Sequence, residues 1–152
     1  METKKILESK KTERWLLVGI VVTFIVSLFL ASINPNNISN APDVNDISNY
    51  EVREIAVASS SYSVLIADTQ EKRMTGLSYR TALPENIDGM LFIFDTPGNH
   101  NIWMKDMNLT LDIHWLNENF NIIHTESNIS PETYPESFTS TSPALYVLEI
   151  VK

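Results

Sequence analysis

The sequence predicts a mainly β domain (α+β) with one short helix, a small barrel or sandwich, carried behind a single N-terminal transmembrane helix. Three observations carry that expectation. An uncharged apolar run lies near the start, apolar residues recur at every second position after Tyr50, and turn-forming residues separate the resulting short runs.

The apolar run is Trp15 to Ile33, nineteen residues without a charge. About twenty such residues in a helix cross the ~30 Å hydrocarbon core of a bilayer. Trp15 suits an interfacial anchor, and Lys10, Lys11 and Arg14 stand just before it, whereas the next basic residue is Arg53. This asymmetry places residues 1–14 in the cytoplasm and the remainder outside, in the cell membrane as a single-pass protein. A cleaved signal peptide would have a shorter apolar core of about 7–15 residues and a small-x-small site. Phe29 spoils the site Ala31 would form, so the segment is expected to stay as a signal anchor. Residues 34–49 are rich in Asn, Ser, Pro and Asp and read as a flexible linker with too little apolar area to offset chain entropy.

The domain is then residues 50–152. Ser61 to Ala67 reads as a strand, and Thr69 to Leu77 as the one helix, capped by Asp68 or Thr69 and ended by Gly76. Gly89 to Phe94 is continuously apolar, which suits a strand buried on both faces. Leu111 to Leu116 alternates and pairs with Phe120 to Thr125 across Asn117-Glu118-Asn119, and Ala144 to Val151 supplies the last strand. The Pro- and Thr-rich stretch PETYPESFTSTS reads as a loop covering one mouth of a barrel. From Tyr50 onward six basic residues face fourteen acidic ones, a net of −8, which repels phosphate backbones and argues against a nucleic-acid partner. Cysteine is absent, which excludes disulfides, thiolate metal sites and a cysteine nucleophile.

Ordered blocks carry a family resemblance over roughly Ser60 to Lys152. They are Ala67-Asp68-Thr69, Gly76-Leu77 with Arg80, Leu83-Pro84, Gly89-Met90-Leu91-Phe92 with Phe94, Trp103-Met104-Lys105, Leu111-Asp112-Ile113, and Tyr146-Val147-Leu148-Glu149. The chain resembles the domain of unknown function 192 family, uncharacterised envelope proteins. The resemblance implies a compact mixed β fold, often behind a signal peptide or membrane anchor, and no established reaction. Ser78, Asp106-Met107, Thr110 and Phe120 depart from the family pattern, which has Met, Asn-Thr, Pro and Gly there. Phe120 puts the expected left-handed bulge of the hairpin in question.

Candidate ligand-binding residues are His100, Trp103, Lys105, Asp106, Asp112 and Arg80. An indole beside a cation and carboxylates suits a small polar or sugar-like ligand. The plainer reading makes Trp103 a core anchor, Lys105 and Asp106 a surface pair, and Asp112 a turn cap. Arg80, regularly Arg in the family, is expected to pair with Asp88 or Asp112. If Leu116 pairs with Phe120, Asp112, His114 and His124 share a face and form a weak metal candidate; if Asn117 pairs with Phe120, His124 turns to the other face. No motif implies a cofactor, and no nucleophile elbow is present. The expected partners are the membrane, through residues 15–33, and a small-molecule ligand or an envelope protein. The expected role is ligand or partner binding, with two alternatives. One is an enzyme acting on an envelope glycan or small metabolite, with Asp112 and His100 as acid and base. The other is a structural interaction module.

Overall fold

A computed structural model of the protein describes residues 45–152. The basic segment 1–14, the apolar run 15–33 and the linker as far as residue 44 lie outside the described residues. Among those described, no helix is long and apolar enough to cross a membrane.

The elements are β1 (Val52–Val57), β2 (Ser60–Ala67), α1 (Gln70–Thr75), β3 (Gly89–Gly98), β4 (Ile102–Trp103), β5 (Leu111–Leu116), β6 (Ile122–Ile129), β7 (Ser137–Phe138) and β8 (Ala144–Val151). The fold is mainly β, one sheet curled into a half-barrel with one short α-helix among the described residues. The sheet runs β1-β2-β3-β8-β5-β6, antiparallel except for β2 beside β3. That parallel pair needs a crossover, and α1 lies within it. The helix begins and ends as its sequence dictates. The Thr69 side chain accepts from the Lys72 amide, and Gly76 ends it at φ 51°.

Cross-strand register sorts side chains into two apolar clusters, one on each face. On the larger face Leu65, Met90, Glu149 and Ile113 stand opposite one another in a row across four strands. The next row on that face is Ala67, Phe92, Val147 and Trp115. A carboxylate therefore occupies a central position among core side chains. Gly89 lets β3 and β8 approach at this point, since a Cβ there would lie 1.8 Å from the Glu149 carbonyl oxygen.

Three expectations change. β1 joins β2 through a tight turn in which Ala58 takes φ 53°, adding an edge strand ahead of the first one read from sequence. The β5–β6 hairpin adopts neither expected register. Asn117 closes the loop, its amide donating to the Asn121 carbonyl and its side chain accepting from the amides of Asn119 and Asn121. Phe120 supplies the left-handed residue at φ 59°, so the bulge survives without glycine. Leu116 then pairs with Ile122, and Trp115 with His124. Finally, the end of the expected linker is docked. The Arg80 Nη2 donates to the Asp46 carbonyl at 3.2 Å, and the Thr81 amide to the Asn45 side chain at 3.3 Å.

Candidate functional site

A cavity of about 80 Å³ opens on the larger face of the sheet. On a scale where one water needs about 10–15 Å³, it holds several waters or a small head group. The buried Glu149 of β8 and Phe92 of β3 line its base, and Met74, Gly76, Trp103 and Met107 complete the lining. Gly76 serves twice, because a Cβ there would press to 3.3 Å from the Phe92 ring at a backbone angle that disfavours other residues.

Glu149 dominates the chemistry. It is buried, flanked by Met90 and Ile113, and among the described residues its carboxyl makes no hydrogen bond or ion pair. Burial pushes its pKa up to about 8, so the neutral acid prevails at pH 7. Such a group both donates and accepts a hydrogen bond, and it ionises readily when a positive charge arrives.

The expected site residues divide around this pocket. Trp103 lines it and is 55% exposed, a platform rather than a core anchor. The Lys105 ammonium lies 5.7 Å from the Trp103 ring, and the Tyr134 ring meets the indole edge-on at 6.0 Å. Tyr134 comes from the Pro- and Thr-rich stretch, whose strand β7 pairs with β4. Asp106 is bonded to Tyr79 and does not pair with Lys105.

The other candidates serve elsewhere. His100 stacks on Phe94 with centroids 3.4 Å apart, and its carbonyl accepts from the Trp115 indole. Burial lowers its pKa against the opposing pull of the Thr96 and Ala144 carbonyls. Its Nε2 is buried with no hydrogen-bond partner among the described residues. Asp112 stands opposite Ile150, one position on from Glu149 and therefore on the other face. Its carboxylate takes the Lys152 ammonium at 2.8 Å and the Asn128 amide at 2.8 Å. Burial raises the Asp112 pKa, but these two donors outweigh it and hold the carboxyl below its usual value. Arg80 pairs with neither Asp88 nor Asp112. Its guanidinium is buried over the Tyr50 ring and binds the Asp46 carbonyl.

The metal candidate separates for the same reason of register. His114 bonds Thr125, while His124 lies against Trp115 on the opposite face and reaches Glu126. Asp112, His114 and His124 therefore do not converge.

Glu149 was missed as a functional residue from sequence, although a signal existed. In ALYVLEIV the alternation that sends Val147 into the core sends Glu149 there too.

Fold and pocket together define a half-barrel β domain with a cavity floored by a buried acid. The chain belongs to the DUF192 family (Uncharacterized ACR), whose model matches residues 53–152. No curated protein matches it. Two solved structures are similar. One is a Sinorhizobium meliloti protein described as a candidate transcription regulator, 27% identical, with TM-score 0.56, covering 67% of this chain and 79% of that one. The other is a Novosphingobium aromaticivorans protein of unknown function, 24% identical, with TM-score 0.62, covering 73% and 81%.

Proposed function

We propose that this protein is a membrane-anchored extracytoplasmic domain that binds a small ligand in the pocket over Glu149. One observation carries the reading: a buried carboxyl without a partner among the described residues stands at the base of an open cavity. Burying such a group costs stability, and a leucine of similar size would pack there without that cost. An acid placed at that cost where a ligand can reach it marks a candidate binding group. Trp103, exposed at the rim, adds an aromatic surface for the ligand to cover. The anchor rests on the nineteen uncharged residues from Trp15 to Ile33 and on the basic residues before them.

An enzymatic role has one observation in its favour. An acid with a pKa of about 8 is poised to donate a proton near neutral pH. Asp112 does not assist it, since it faces away and is paired with Lys152, and His100 is stacked on Phe94 instead of lining the pocket. A regulator's role on nucleic acid is disfavoured by the net of −8 from Tyr50 onward.

The test is a thermal-shift screen of the full-length protein in detergent against sugars, nucleotides, small acids and amines. A stabilising ligand raises the melting point in proportion to ln(1 + [L]/Kd). The reading expects a hit that disappears in Glu149→Gln and persists in Asp112→Asn. A hit indifferent to Glu149, or no hit across the panel, counts against it.

A further inference from the structure

Resting on the pocket reading above, we infer that the ligand is an organic cation, a small primary ammonium seated beneath Trp103 with the Glu149 carboxylate as its counter-ion. The charges lining the cavity point that way. Arg73 and Glu149 are the charged residues at its wall. Arg73 is already committed, its Nη1 donating to the carbonyls of Asp68 at 2.8 Å and Ile93 at 2.7 Å, with the guanidinium 5.3 Å from the Phe94 ring. The Glu149 carboxyl is the ionisable group at the wall that makes no hydrogen bond or ion pair among the described residues. From β3 and β5 it is faced by Met90 and Ile113, which are uncharged, while Asp112 and His114 turn to the other side of the sheet.

The walls suit a cation as well. The indole of Trp103, the ring of Phe92 and the thioethers of Met74 and Met107 present polarisable, electron-rich surface. Trp103 already has one ammonium, that of Lys105, 5.7 Å from its ring. Without a positive charge beside it Glu149 stays a neutral acid limited to hydrogen bonding, because its carboxylate carries an uncompensated burial cost. A cation offsets that cost, and binding then proceeds with loss of the Glu149 proton to water. The neutral carboxylic acid plus the ammonium gives the carboxylate–ammonium pair plus a free proton.

The experiment titrates full-length protein in detergent with propylammonium, 1-propanol and propionate, following the Gly76 amide and Trp103 indole resonances by NMR. Propylammonium is expected to bind saturably, with affinity falling about tenfold per pH unit from pH 8 to pH 6, because the site must first lose its proton. Glu149→Gln should weaken binding at least about tenfold by removing the counter-charge. Should that variant fail to fold, Trp103→Leu, altered at an exposed ring, is expected to fold and to weaken propylammonium several-fold. Binding of 1-propanol or propionate at least as tight as that of propylammonium and independent of pH overturns the cation inference and leaves the pocket reading standing. Propylammonium binding that survives Glu149→Gln overturns it too. Silence to all three probes overturns the cation inference, and silence in the ligand screen as well removes the pocket reading with it.

Discussion

Tyr79 and Asp106 hold each other twice. The Tyr79 amide donates to the Asp106 carbonyl at 2.7 Å, and its phenol donates to the Asp106 carboxylate at 2.7 Å. Both residues sit in the left-handed region, at φ 64° and φ 57°. The Ser78 hydroxyl adds a bond to the Lys105 carbonyl at 3.1 Å. These contacts tie the segment after α1 to the segment after β4, and both segments contribute to the lining of the pocket.

That clasp predicts an order of stability among variants of Asp106. Asparagine tolerates the left-handed conformation and still accepts the phenol's proton, so Asp106→Asn should melt close to the parent protein. Glycine relieves the backbone but loses the bond, whereas alanine loses both, so Asp106→Ala should melt lowest. Thermal denaturation of the three variants gives the order, and an alanine variant as stable as the asparagine one would contradict the clasp.

Glu149 makes stability depend on pH in a definite direction. Its folded pKa of about 8 lies above the ordinary 4.5, so the folded state holds a proton that the unfolded state has lost. Its contribution is most favourable below the ordinary value and declines as pH rises to the folded pKa. The slope is about −1.4 kcal/mol per pH unit across that window, for a total on the order of 5 kcal/mol. Glu149→Gln has no such dependence, so its advantage over the parent protein should widen from pH 5 to pH 8. Denaturant titrations at those two pH values measure it, and a constant difference would show that Glu149 does not change its protonation on unfolding.

Trp103 and Trp115 should separate cleanly. Trp115 is fully buried, and Trp115→Ala is expected to cost about 3–5 kcal/mol. Trp103, 55% exposed, fills no core space, so Trp103→Ala should shift the melting point little while weakening ligand binding. Melting curves of both variants check this. An equal loss in the two would return Trp103 to the core.

The proposed anchor predicts that the full-length protein stays in the membrane pellet through alkaline carbonate extraction. It also predicts that protease added outside the cell removes the Tyr50–Lys152 domain. Recovery in the soluble fraction would exclude a spanning segment at residues 15–33.

Much of the architecture was legible because periodicity and caps act locally. Gly89 to Phe94, Leu111 to Leu116 and Ala144 to Val151 each contain enough consecutive pattern to declare a strand, and Thr69 and Gly76 delimit the helix as their chemistry requires. β1 escaped because its turn uses Ala58 in a left-handed conformation, without the Asn or Gly that marks such turns. β4 and β7 are two residues each, too short for any period to emerge. The hairpin register was hidden by Phe120. It takes glycine's conformation while stacking on Tyr146 at 4.4 Å, a tertiary contact that no local pattern reports. The site was half legible for a related reason. Trp103 was named, but its exposure depends on how β4 pairs with β7. Asp112 was named too, but strand parity turns it away from the pocket and brings Glu149 in.

The protonation of Glu149 itself decides whether the pocket is built around a buried acid. In full-length protein labelled with carbon-13 at the glutamate side-chain carboxyls, the Glu149 resonance is the one missing from Glu149→Gln. This resonance is expected to titrate with a midpoint near 8 in the free protein and to move to lower pH when propylammonium is added. A midpoint close to the ordinary 4.5, unmoved by the amine, would mean that the acid is solvated or paired and that the pocket is not built around it.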